Sequence, residues 1–434
     1  MTASSGVRAP ETVTATIEKL ATTGEGITRN SLGTGFIAGA LAGERVEAAV
    51  TEVHPKIWRG RATEILSPSA DRQAGPHASC AGCDWAYFQL DRAAMAKRSL
   101  FLETMLRLGG LEAGRFGGLP IAASPSGYRL RARFHVNGLG NDVAVGYYAR
   151  RTHRVESAEL CEALSEETRA SLPRLRENLA SFAISASEIS LVEDLSGRRR
   201  IGQLRVQPKT SLADARSLAE TLSGIFDGFS VVAAGGVRLA SVGTPLLWVT
   251  INGRDFPLST DSFFQANRYL AGQLALDVAE QALAPPGRAL DAFGGVGLLA
   301  GALLERGHRV ISVEAHGPAA ELAGQTRQRW GLRDDSWTIV GSPILAWIRK
   351  ERDPLDLAVV DPPRTGLGKE LAAAVADRVR DRIIYVSCEP ATLARDLAAL
   401  EARGFRIAHA RLYDFFAFTH RVEALVTLER RGSR

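Results

Sequence analysis

Alternating strand-like and helix-like segments fill the second half of the chain, from about residue 270 onward. Apolar strand candidates are separated there by segments with helical spacing, which is typical of a doubly wound α/β sheet with parallel strands. Two last candidates, FRIAHARLYD and VEALVTLE, predict an antiparallel edge hairpin. The five parallel candidates are RALDAF, HRVISVE, SWTIVG, LDLAVVDPP and RIIYVSC.

The first half of the chain has a different pattern. Residues 11–66 contain short strand candidates joined by glycine-rich turns, a spacing that suits a small OB-like barrel, which either binds nucleic acid or is a plain β domain. A helix is predicted over residues 91–110, where two glycines end the apolar periodicity. Strand patterns return over residues 121–256 and are interrupted by a helical segment around residues 161–184.

Composition narrows the classes of protein. A length of 434 residues predicts two or three domains, and nothing in the sequence requires more than a monomer. The net charge of +5 permits a polyanionic partner without demanding one. No apolar run is long enough to span a bilayer and the first residues lack the apolar core of a signal peptide, so we expect a cytoplasmic protein with no membrane partner. Four cysteines in so long a chain argue against a disulfide framework.

A glycine-rich turn follows the first parallel strand candidate. Gly294, Gly295 and Gly297 let a ligand approach the backbone, and the helix that follows offers free N–H groups. Asp291 ends that strand, and Glu314 ends the next one, where an acidic side chain can bind ribose hydroxyls. A tight turn without ligand and a dinucleotide dehydrogenase are the alternatives. Because the run GGVGLL departs from GxGxxG, we favour S-adenosylmethionine, which has no pyrophosphate.

Two more segments follow strands at the same edge of the sheet. DPPRTG covers residues 361–366, and YVSCEPATLARDL covers residues 385–397. Doubly wound folds bind ligands at the carboxyl ends of their strands. Cys388 stands there before a proline and a helix, whose N-terminus is expected to lower the pKa of the thiol. An isolated cysteine would more often be a buried apolar residue.

These segments, together with DSFFQAN (residues 261–267) and the D-x-F-x-x-T-x-x-V-E segment (residues 414–423), resemble the RNA 5-methyluridine methyltransferases. The motifs occur in the family's order with the glycine loop, and the resemblance covers nearly the whole chain. Because the chain also has a cysteine-rich loop, it looks most like the branch that modifies 23S ribosomal RNA. The activity implied is S-adenosylmethionine-dependent formation of 5-methyluridine in RNA.

The resemblance also implies a division of the chain. An N-terminal OB-like barrel of the TRAM type would cover residues 1–68 and bind RNA. A central β-rich α+β domain would comprise residues 69–93 and 121–255. A Rossmann-like catalytic domain would comprise residues 94–120 and 256–434.

Reaction roles follow from the same resemblance. Cys388 matches the nucleophile that adds to uracil carbon-6 and so makes carbon-5 reactive. Glu423 matches the general base that removes the carbon-5 proton. Asp361 matches a residue at the uracil edge and beside the cofactor. Without the motifs, Glu423 would be read as a surface residue and Asp361 as a turn residue.

The remaining implied site residues bind cofactor or base. Gln265 matches a residue near the reacting groups and cofactor, and Phe263 matches an aromatic residue against the target base, although it could equally be a core residue. The expected S-adenosylmethionine site comprises Gln265, Asp291, Gly294, Gly295, Gly297, Glu314 and Asp361.

The chain departs from the family pattern at several positions. Gly294 stands where cysteine is usual, which we expect to affect binding little. Glu389 replaces the asparagine that usually follows the nucleophile, and a carboxylate there disfavours the thiolate unless it points away. Phe416, Ala417 and Phe418 replace a segment that usually has a proline and a polar residue.

The other cysteines match part of a cluster site. Cys80, Cys83 and Cys161 match three of the four ligands of a [4Fe–4S] cluster, but the first position falls on Ala74. His77 or Asp71 could complete the ligand set. The alternatives are a degenerate site without metal, or zinc held by the three cysteines and His77.

Arginines in the central region predict RNA contacts. Arg129, Arg131 and Arg133 alternate along a strand candidate and therefore share one face, and Arg150, Arg151, His153 and Arg154 follow. They predict phosphate binding or a merely solvated face. Three functions compete with the 23S enzyme: a non-catalytic RNA-binding or assembly protein of this fold, a transfer RNA uridine methyltransferase and an RNA cytosine methyltransferase.

Overall fold

The computed structural model describes residues 12–74, 82–149, 152–282 and 285–432. Within these ranges the strands form sheets of six, seven, two and eight strands, arranged in chain order with one exception, a short strand near residue 121. No helix in these ranges has the length and apolar character needed to cross a bilayer.

The N-terminal region is a six-stranded sheet with the order β1-β5-β6-β4-β3-β2. It encloses its own core, in which Val46, Ala48 and Trp58 are fully buried. Gly35 is required beside Trp58, because a Cβ there would lie 2.3 Å from the indole ring. This sheet corresponds to the predicted small barrel. Its strands are β1 (Thr12–Thr16), β2 (Lys19–Leu20), β3 (Gly26–Asn30), β4 (Gly33–Ala38), β5 (Arg45–Val53) and β6 (Ile57–Ser67).

Helix α1 (Leu90–Gly109) confirms the helix predicted over residues 91–110. Gly110 ends it in the left-handed conformation, with φ of 65°, and donates its N–H to the carbonyl of Leu106. Phe101 and Met105 on this helix pack into the core beneath the eight-stranded sheet of the C-terminal region. A short 3-10 helix (Ala113–Phe116) and strand β7 (Ile121–Ala122) follow.

The central region is a seven-stranded sheet with the order β10-β9-β8-β11-β12-β13-β14. Strands β12 and β13 pair in parallel, and the other neighbours are antiparallel. The helical segment expected around residues 161–184 is helix α2, whose first turn is capped by the Ser165 hydroxyl. The elements are β8 (Arg131–Asn137), β9 (Ala144–Tyr148), β10 (Val155–Ser157), α2 (Glu166–Ala180), β11 (Ala186–Glu193), β12 (Arg200–Val206), α3 (Leu212–Leu222), β13 (Gly228–Ala233) and β14 (Arg238–Gly243).

The C-terminal region begins with a hairpin and continues as alternating helices and strands. Its elements are β15 (Leu247–Ile251), β16 (Arg254–Leu258), α4 (Ala271–Gln281), β17 (Arg288–Ala292), α5 (Leu298–Glu305), β18 (Arg309–Glu314), α6 (Gly317–Arg329), β19 (Trp337–Gly341), α7 (Ile344–Lys350), β20 (Leu355–Val360), α8 (Gly368–Arg378), β21 (Val379–Ser387), α9 (Pro390–Glu401), β22 (Phe405–Tyr413) and β23 (Glu423–Arg430).

The eight-stranded sheet confirms the predicted doubly wound architecture. Its order is β19-β18-β17-β20-β21-β23-β22-β7, and the first five strands are parallel. The predicted hairpin forms as β22 and β23, but the prediction that it ends the sheet is wrong. Strand β7 pairs in parallel outside β22, with Leu412 opposite Ile121. Two residues are too few to show a strand period in the sequence.

Candidate active site at the carboxyl edge of the parallel strands

The expected reaction residues meet at one edge of the eight-stranded sheet. Asp361 follows β20, and Cys388 follows its neighbour β21. Strand β23 runs antiparallel to β21 with Ser387 opposite Ala424, so the next pair in this register is Cys388 with Glu423. Adjacent strands therefore bring the thiol and the two carboxyl groups together, although they are separated in sequence by up to 62 residues.

The glycine loop and Glu314, which the sequence assigned to the same ligand, lie against each other. The carboxylate of Glu314 accepts hydrogen bonds from the backbone N–H of Gly295, at 3.0 Å, and of His316, at 2.7 Å. Gly295 has φ of 54° and open space where a side chain would stand. The loop thus presents backbone to a ligand, with the acidic side chain at its rim.

Asp291 is buried beneath this loop. It accepts a hydrogen bond from the hydroxyl of Ser312 at 2.9 Å, and the indole N–H of Trp337 donates to that hydroxyl at 2.8 Å. Burial, with a smaller contribution from Glu314, raises the pKa of Asp291 to about 7. A hydrogen-bonded chain of three side chains therefore fixes this carboxyl group.

Gly294 packs closely against Asp291 and Ser312, which the sequence did not indicate. A Cβ on Gly294 would lie 2.6 Å from Oδ2 of Asp291 and 3.0 Å from Cβ of Ser312. In this chain a side chain at that position requires Asp291 to move. The expectation that the residue type there affects ligand binding little stays a prediction, and this close contact predicts instead that a side chain would disturb Asp291.

A small pocket connects the glycine loop to Asp361. Phe263, Gln265, Phe293 and Asp361 contribute to its lining together with the loop. The side-chain amide of Gln265 donates to Oδ2 of Asp361 at 3.0 Å. Phe263 is 63% exposed, so it is available to a ligand and is not a core residue. Burial and the nearby Asp291 raise the pKa of Asp361 to about 7.

The thiol of Cys388 is partly buried and lies among carboxyl groups. Burial raises its pKa to about 11, and Glu423 and Asp361 add to the effect, while Arg364 opposes it. The expectation that this pKa is lowered is therefore wrong, because burial and the negative neighbours raise it. Burial also raises the pKa of Glu423 well above its ordinary range, with Asp361 contributing.

The substituted residue Glu389 points towards a cation. Its carboxylate lies 3.6 Å from Nη1 of Arg421, and among the carboxylates that raise the pKa of Cys388 it contributes least. The Glu389 carboxylate is therefore partly neutralised. A cleft opens onto Cys388 between helix α1 and residues 420–422, with Thr22 and Thr23 of the N-terminal region at its wall.

The three central arginines have different environments. Arg131 donates to the carbonyl of Ser262, in the segment that carries Phe263, and to the carbonyl of Thr260 at 3.3 Å. Arg129 is half-buried, and interaction with the Tyr128 hydroxyl raises the pKa of its guanidinium despite burial. Arg133 is exposed and lies 3.4 Å from Glu188.

The prediction that these arginines share a phosphate-binding face is therefore wrong for Arg131, because its guanidinium binds the segment that carries Phe263. Of the residues expected to extend that face, Arg154 pairs with Glu156, while Arg150 and Arg151 lie outside the described residues.

Two of the cysteines expected to bind a cluster lie in one core. Cys83 and Cys161 are both buried in the central region. Both add to the effect of burial, which raises the pKa of the Tyr128 hydroxyl. Cys80 and His77 lie outside the described residues. Ala74 has no ligating atom, and the described ranges contain no group of three or more His, Cys, Asp or Glu side chains arranged around a metal position.

Several residues of the site were missed by sequence reasoning. Trp337 and Ser312 hold Asp291, and Lys97 forms a buried ion pair with Asp414. Nothing in the pattern singles out the first two. Lys97 lies on the apolar face of a predicted helix, where a lysine needs a partner, and this signal could have been used.

The sequence is similar to those of known RNA methyltransferases. Residues 345–431 match the family model described as tRNA (uracil-5-)-methyltransferase. The 23S rRNA (uracil(1939)-C(5))-methyltransferase of Alkalilimnicola ehrlichii is 30% identical over 440 residues, which cover 94% of this chain and 94% of that protein. An RNA methyltransferase of Streptomyces coelicolor, named as uncharacterized, is 31% identical and covers 91% of this chain and 87% of its own length.

One solved structure shares the fold along nearly the whole chain. The tRNA (uracil-54, C5)-methyltransferase of Pyrococcus abyssi, in complex with S-adenosyl-L-homocysteine, superposes with a TM-score of 0.77. It is 21% identical and covers 96% of this chain and 99% of its own. At this identity the likeness concerns architecture.

Proposed function

Because the chain belongs to the family of S-adenosylmethionine-dependent RNA uracil-C5 methyltransferases, we propose that it forms 5-methyluridine in 23S ribosomal RNA through a bond between Cys388 and uracil carbon-6. One observation carries the proposal. The paired register of β21 and β23 ends with Ser387 opposite Ala424, directly before Cys388 and Glu423, and Glu423 and Asp361 both raise the pKa of the Cys388 thiol.

The reaction uses each group once and returns it. The sulfur of Cys388 adds to carbon-6, and the electrons of the carbon-5–carbon-6 double bond move into an enolate. S-adenosylmethionine, when bound, would supply the methyl group to carbon-5; its methyl–sulfur bond would break and S-adenosylhomocysteine would leave. Glu423 takes the proton from carbon-5, the double bond reforms, and the carbon–sulfur bond breaks to release Cys388.

The protonation states of the site fit this order of events. A thiol with a pKa near 11 is neutral at rest, so as it attacks it must pass its proton to water in the cleft at Cys388, and the thiolate released from carbon-6 takes a proton back. Arg364 is the group that opposes the carboxylates at this thiol, and we assign it the role of favouring the thiolate. A raised pKa equips Glu423 to hold the proton that it removes from carbon-5.

The residues around the glycine loop fit S-adenosylmethionine. Gly295 and Glu314 would meet the adenosine, and Gln265 and Asp361 border the same pocket on the side of the reacting groups. We assign the cofactor to the full set Gln265, Asp291, Gly294, Gly295, Gly297, Glu314 and Asp361. The exposed ring of Phe263 would stack on the target base.

Ribosomal RNA is favoured over transfer RNA by relatives named as 23S enzymes, one of them 30% identical over most of both chains. Arg133 is the exposed arginine of its strand and would contact phosphate. Arg129 and Arg131 would instead hold the part of the protein that lies near the target uracil, Arg131 by binding the carbonyl of Ser262 next to Phe263. The six-stranded N-terminal sheet is proposed to bind RNA as a TRAM-type barrel.

Cys80, Cys83 and Cys161 are proposed to supply three thiolates to a [4Fe–4S] cluster. Support comes from the burial of Cys83 and Cys161 in one core beside Tyr128. The cluster would be structural, because methyl transfer to uracil moves no electron through it. Iron analysis and an absorption spectrum of protein prepared without oxygen test this, and zinc or metal-free protein would contradict it.

The decisive experiment traps the covalent step. Protein, labelled S-adenosylmethionine and RNA containing 5-fluorouridine should give a denaturation-resistant adduct, because fluorine cannot leave as a proton. Fragments of 23S RNA should react and transfer RNA should not. Replacing Cys388 (Cys388→Ala) should abolish the adduct while S-adenosylmethionine still binds.

Absence of adduct and methyl transfer with every RNA would favour a non-catalytic RNA-binding protein. Reaction with transfer RNA alone would overturn the assignment to ribosomal RNA.

A further inference from the structure

The peptide that joins β22 to β23 carries the proposed base at its end. This base-bearing segment comprises residues 414–423, and its first nine residues form no helix or strand. Glu423 is the first residue of β23, next to the irregular part. Regular strand hydrogen bonds therefore fix the chain only on the C-terminal side of Glu423. Contacts from other parts of the chain must fix the other side.

Helix α1 holds the beginning of the segment. The ammonium group of Lys97 is buried and pairs with the carboxylate of Asp414. It also donates to the carbonyls of Phe416, at 3.0 Å, and of Ala417, at 3.4 Å. One cation thus closes the first turn of the segment.

The residues after Cys83 hold the end of the segment. The carboxylate of Asp84 accepts the backbone N–H of His420 at 3.2 Å and contacts Nδ1 of the His420 ring. The backbone N–H of Trp85 donates to the carbonyl of Phe418 at 2.9 Å. These two neighbouring residues bind both the main chain and a side chain three to five positions before Glu423.

Packing reinforces this attachment. Phe418 stacks on Tyr128 with ring centroids 6.4 Å apart and shares a core with Cys83 and Cys161. Gly24 of the N-terminal region approaches the same place, because a Cβ on it would lie 2.7 Å from Cβ of His420. The end of the segment is therefore where three regions of the protein meet.

We propose that Asp84 and His420 are positioning residues for Glu423, acting in the step that removes the carbon-5 proton. The inference rests on the proposed role of Glu423 as the base. The contact between Asp84 and His420 makes the position of Glu423 depend on the stretch that follows Cys83. Proton transfer needs the carboxylate within hydrogen-bond reach, and a displacement of about 1 Å can slow a reaction about 100-fold.

The test separates proton removal from methyl transfer. In Asp84→Ala and in His420→Ala, we expect the first round of methyl transfer to uridine RNA to stay within about threefold of wild type. Release should slow at least tenfold, so that methylated protein–RNA adduct accumulates. Asp84→Asn, which keeps an oxygen that accepts hydrogen bonds, should recover most of the release rate. His420→Ala leaves the stretch after Cys83 unaltered.

Three controls make the outcome decisive. Asp91→Ala removes an exposed carboxylate on helix α1 that contacts Arg92, and it should behave as wild type. Binding of S-adenosylmethionine should be unchanged in all variants, whereas misfolding would lower it together with methyl transfer. Glu423→Gln should accumulate adduct.

If Glu423→Gln accumulates adduct and both positioning variants release product as wild type does, the inference fails and the proposed function stands. If Glu423→Gln releases product normally, the proposed function fails and the inference fails with it.

Discussion

The two halves of the candidate site are held by contacts of different range. In the cofactor half, Glu314 accepts N–H groups of the adjacent glycine loop and of a residue two positions away. In the reaction half, the segment that ends at Glu423 is held by Lys97 and Asp84, which lie more than 300 residues earlier in the chain. The first half is built from neighbouring strands and turns, and the second is assembled by the whole tertiary structure.

The halves also differ in how their carboxyl groups are satisfied. Asp291 has a hydrogen-bonded chain from Trp337 through Ser312, and its pKa is raised to about 7. Burial and Asp361 also raise the pKa of Glu423 well above its ordinary range. Burial thus raises the pKa of carboxyl groups in both halves, and in the first half a local hydrogen-bonded chain also fixes the buried group.

The largest expected effect tests the long-range support of the reaction half. Lys97→Met leaves the carboxylate of Asp414 buried without its cation, which typically costs about 3–5 kcal/mol. The urea midpoint of unfolding should fall accordingly. Turnover should fall too in protein that remains folded, while S-adenosylmethionine binding persists.

The matched control is Lys19→Met, which removes an exposed pair with Glu103 and should change stability by less than about 1 kcal/mol. Lys97→Met combined with Asp414→Leu should regain part of the lost stability, because no charge then stays buried alone. Equal effects of the Lys97 and Lys19 variants would remove the proposed difference between the halves.

Sequence reasoning was most successful where the range of contacts is short. The doubly wound sheet was predicted because each strand and helix has its own apolar period. The glycine loop and Glu314 were predicted to serve one ligand because each follows a strand candidate, and in the structure they lie in contact at the ends of neighbouring strands. Both features depend on few residues that are close in sequence.

It failed where distant residues decide the outcome. The pKa of Cys388 was expected to fall because of its own helix, but burial and two carboxyl groups from other strands raise it. Arg131 was placed on the correct strand face, yet alternation cannot reveal that it meets the carbonyl of Ser262. The pairing of β7 with β22 depends on two residues and left no period to read.

The second prediction concerns the resting thiol. With a pKa of about 11 in place of 9.0, Cys388 has about 100-fold less thiolate at neutral pH. Alkylation by iodoacetamide, followed at the Cys388 peptide by mass spectrometry, should be slower in the folded protein by this factor. Its rate should still rise between pH 9 and 11, whereas in urea-unfolded protein it should level off near pH 9.

The charge of each neighbouring group decides whether it raises or lowers the pKa of Cys388. A raised pKa means that the neutral thiol persists to higher pH, and the carboxylates are among its causes. Glu423→Gln should therefore lower this pKa and speed alkylation at pH 9, whereas Arg364→Gln should slow it. A folded-state profile that levels off at or below pH 9 would show that the thiol is already activated.

The smallest effect is expected in the cofactor half. Gly294→Ala places a Cβ 2.6 Å from Oδ2 of Asp291, so the carboxyl group must shift away from Ser312. We expect S-adenosylmethionine to bind about tenfold more weakly, which corresponds to about 1.4 kcal/mol. Titration calorimetry measures this directly. Gly324→Ala is a suitable control, because a Cβ there meets nothing within 4 Å.

The same variant distinguishes the two halves, because the disturbance at Gly294 is transmitted through Asp291 and Ser312 and not through the base-bearing segment. Alkylation of Cys388 in Gly294→Ala should therefore keep the wild-type pH profile. If the profile moved together with cofactor affinity, the carboxyl groups would titrate as one coupled cluster, and the separation into a locally built half and an assembled half would be lost.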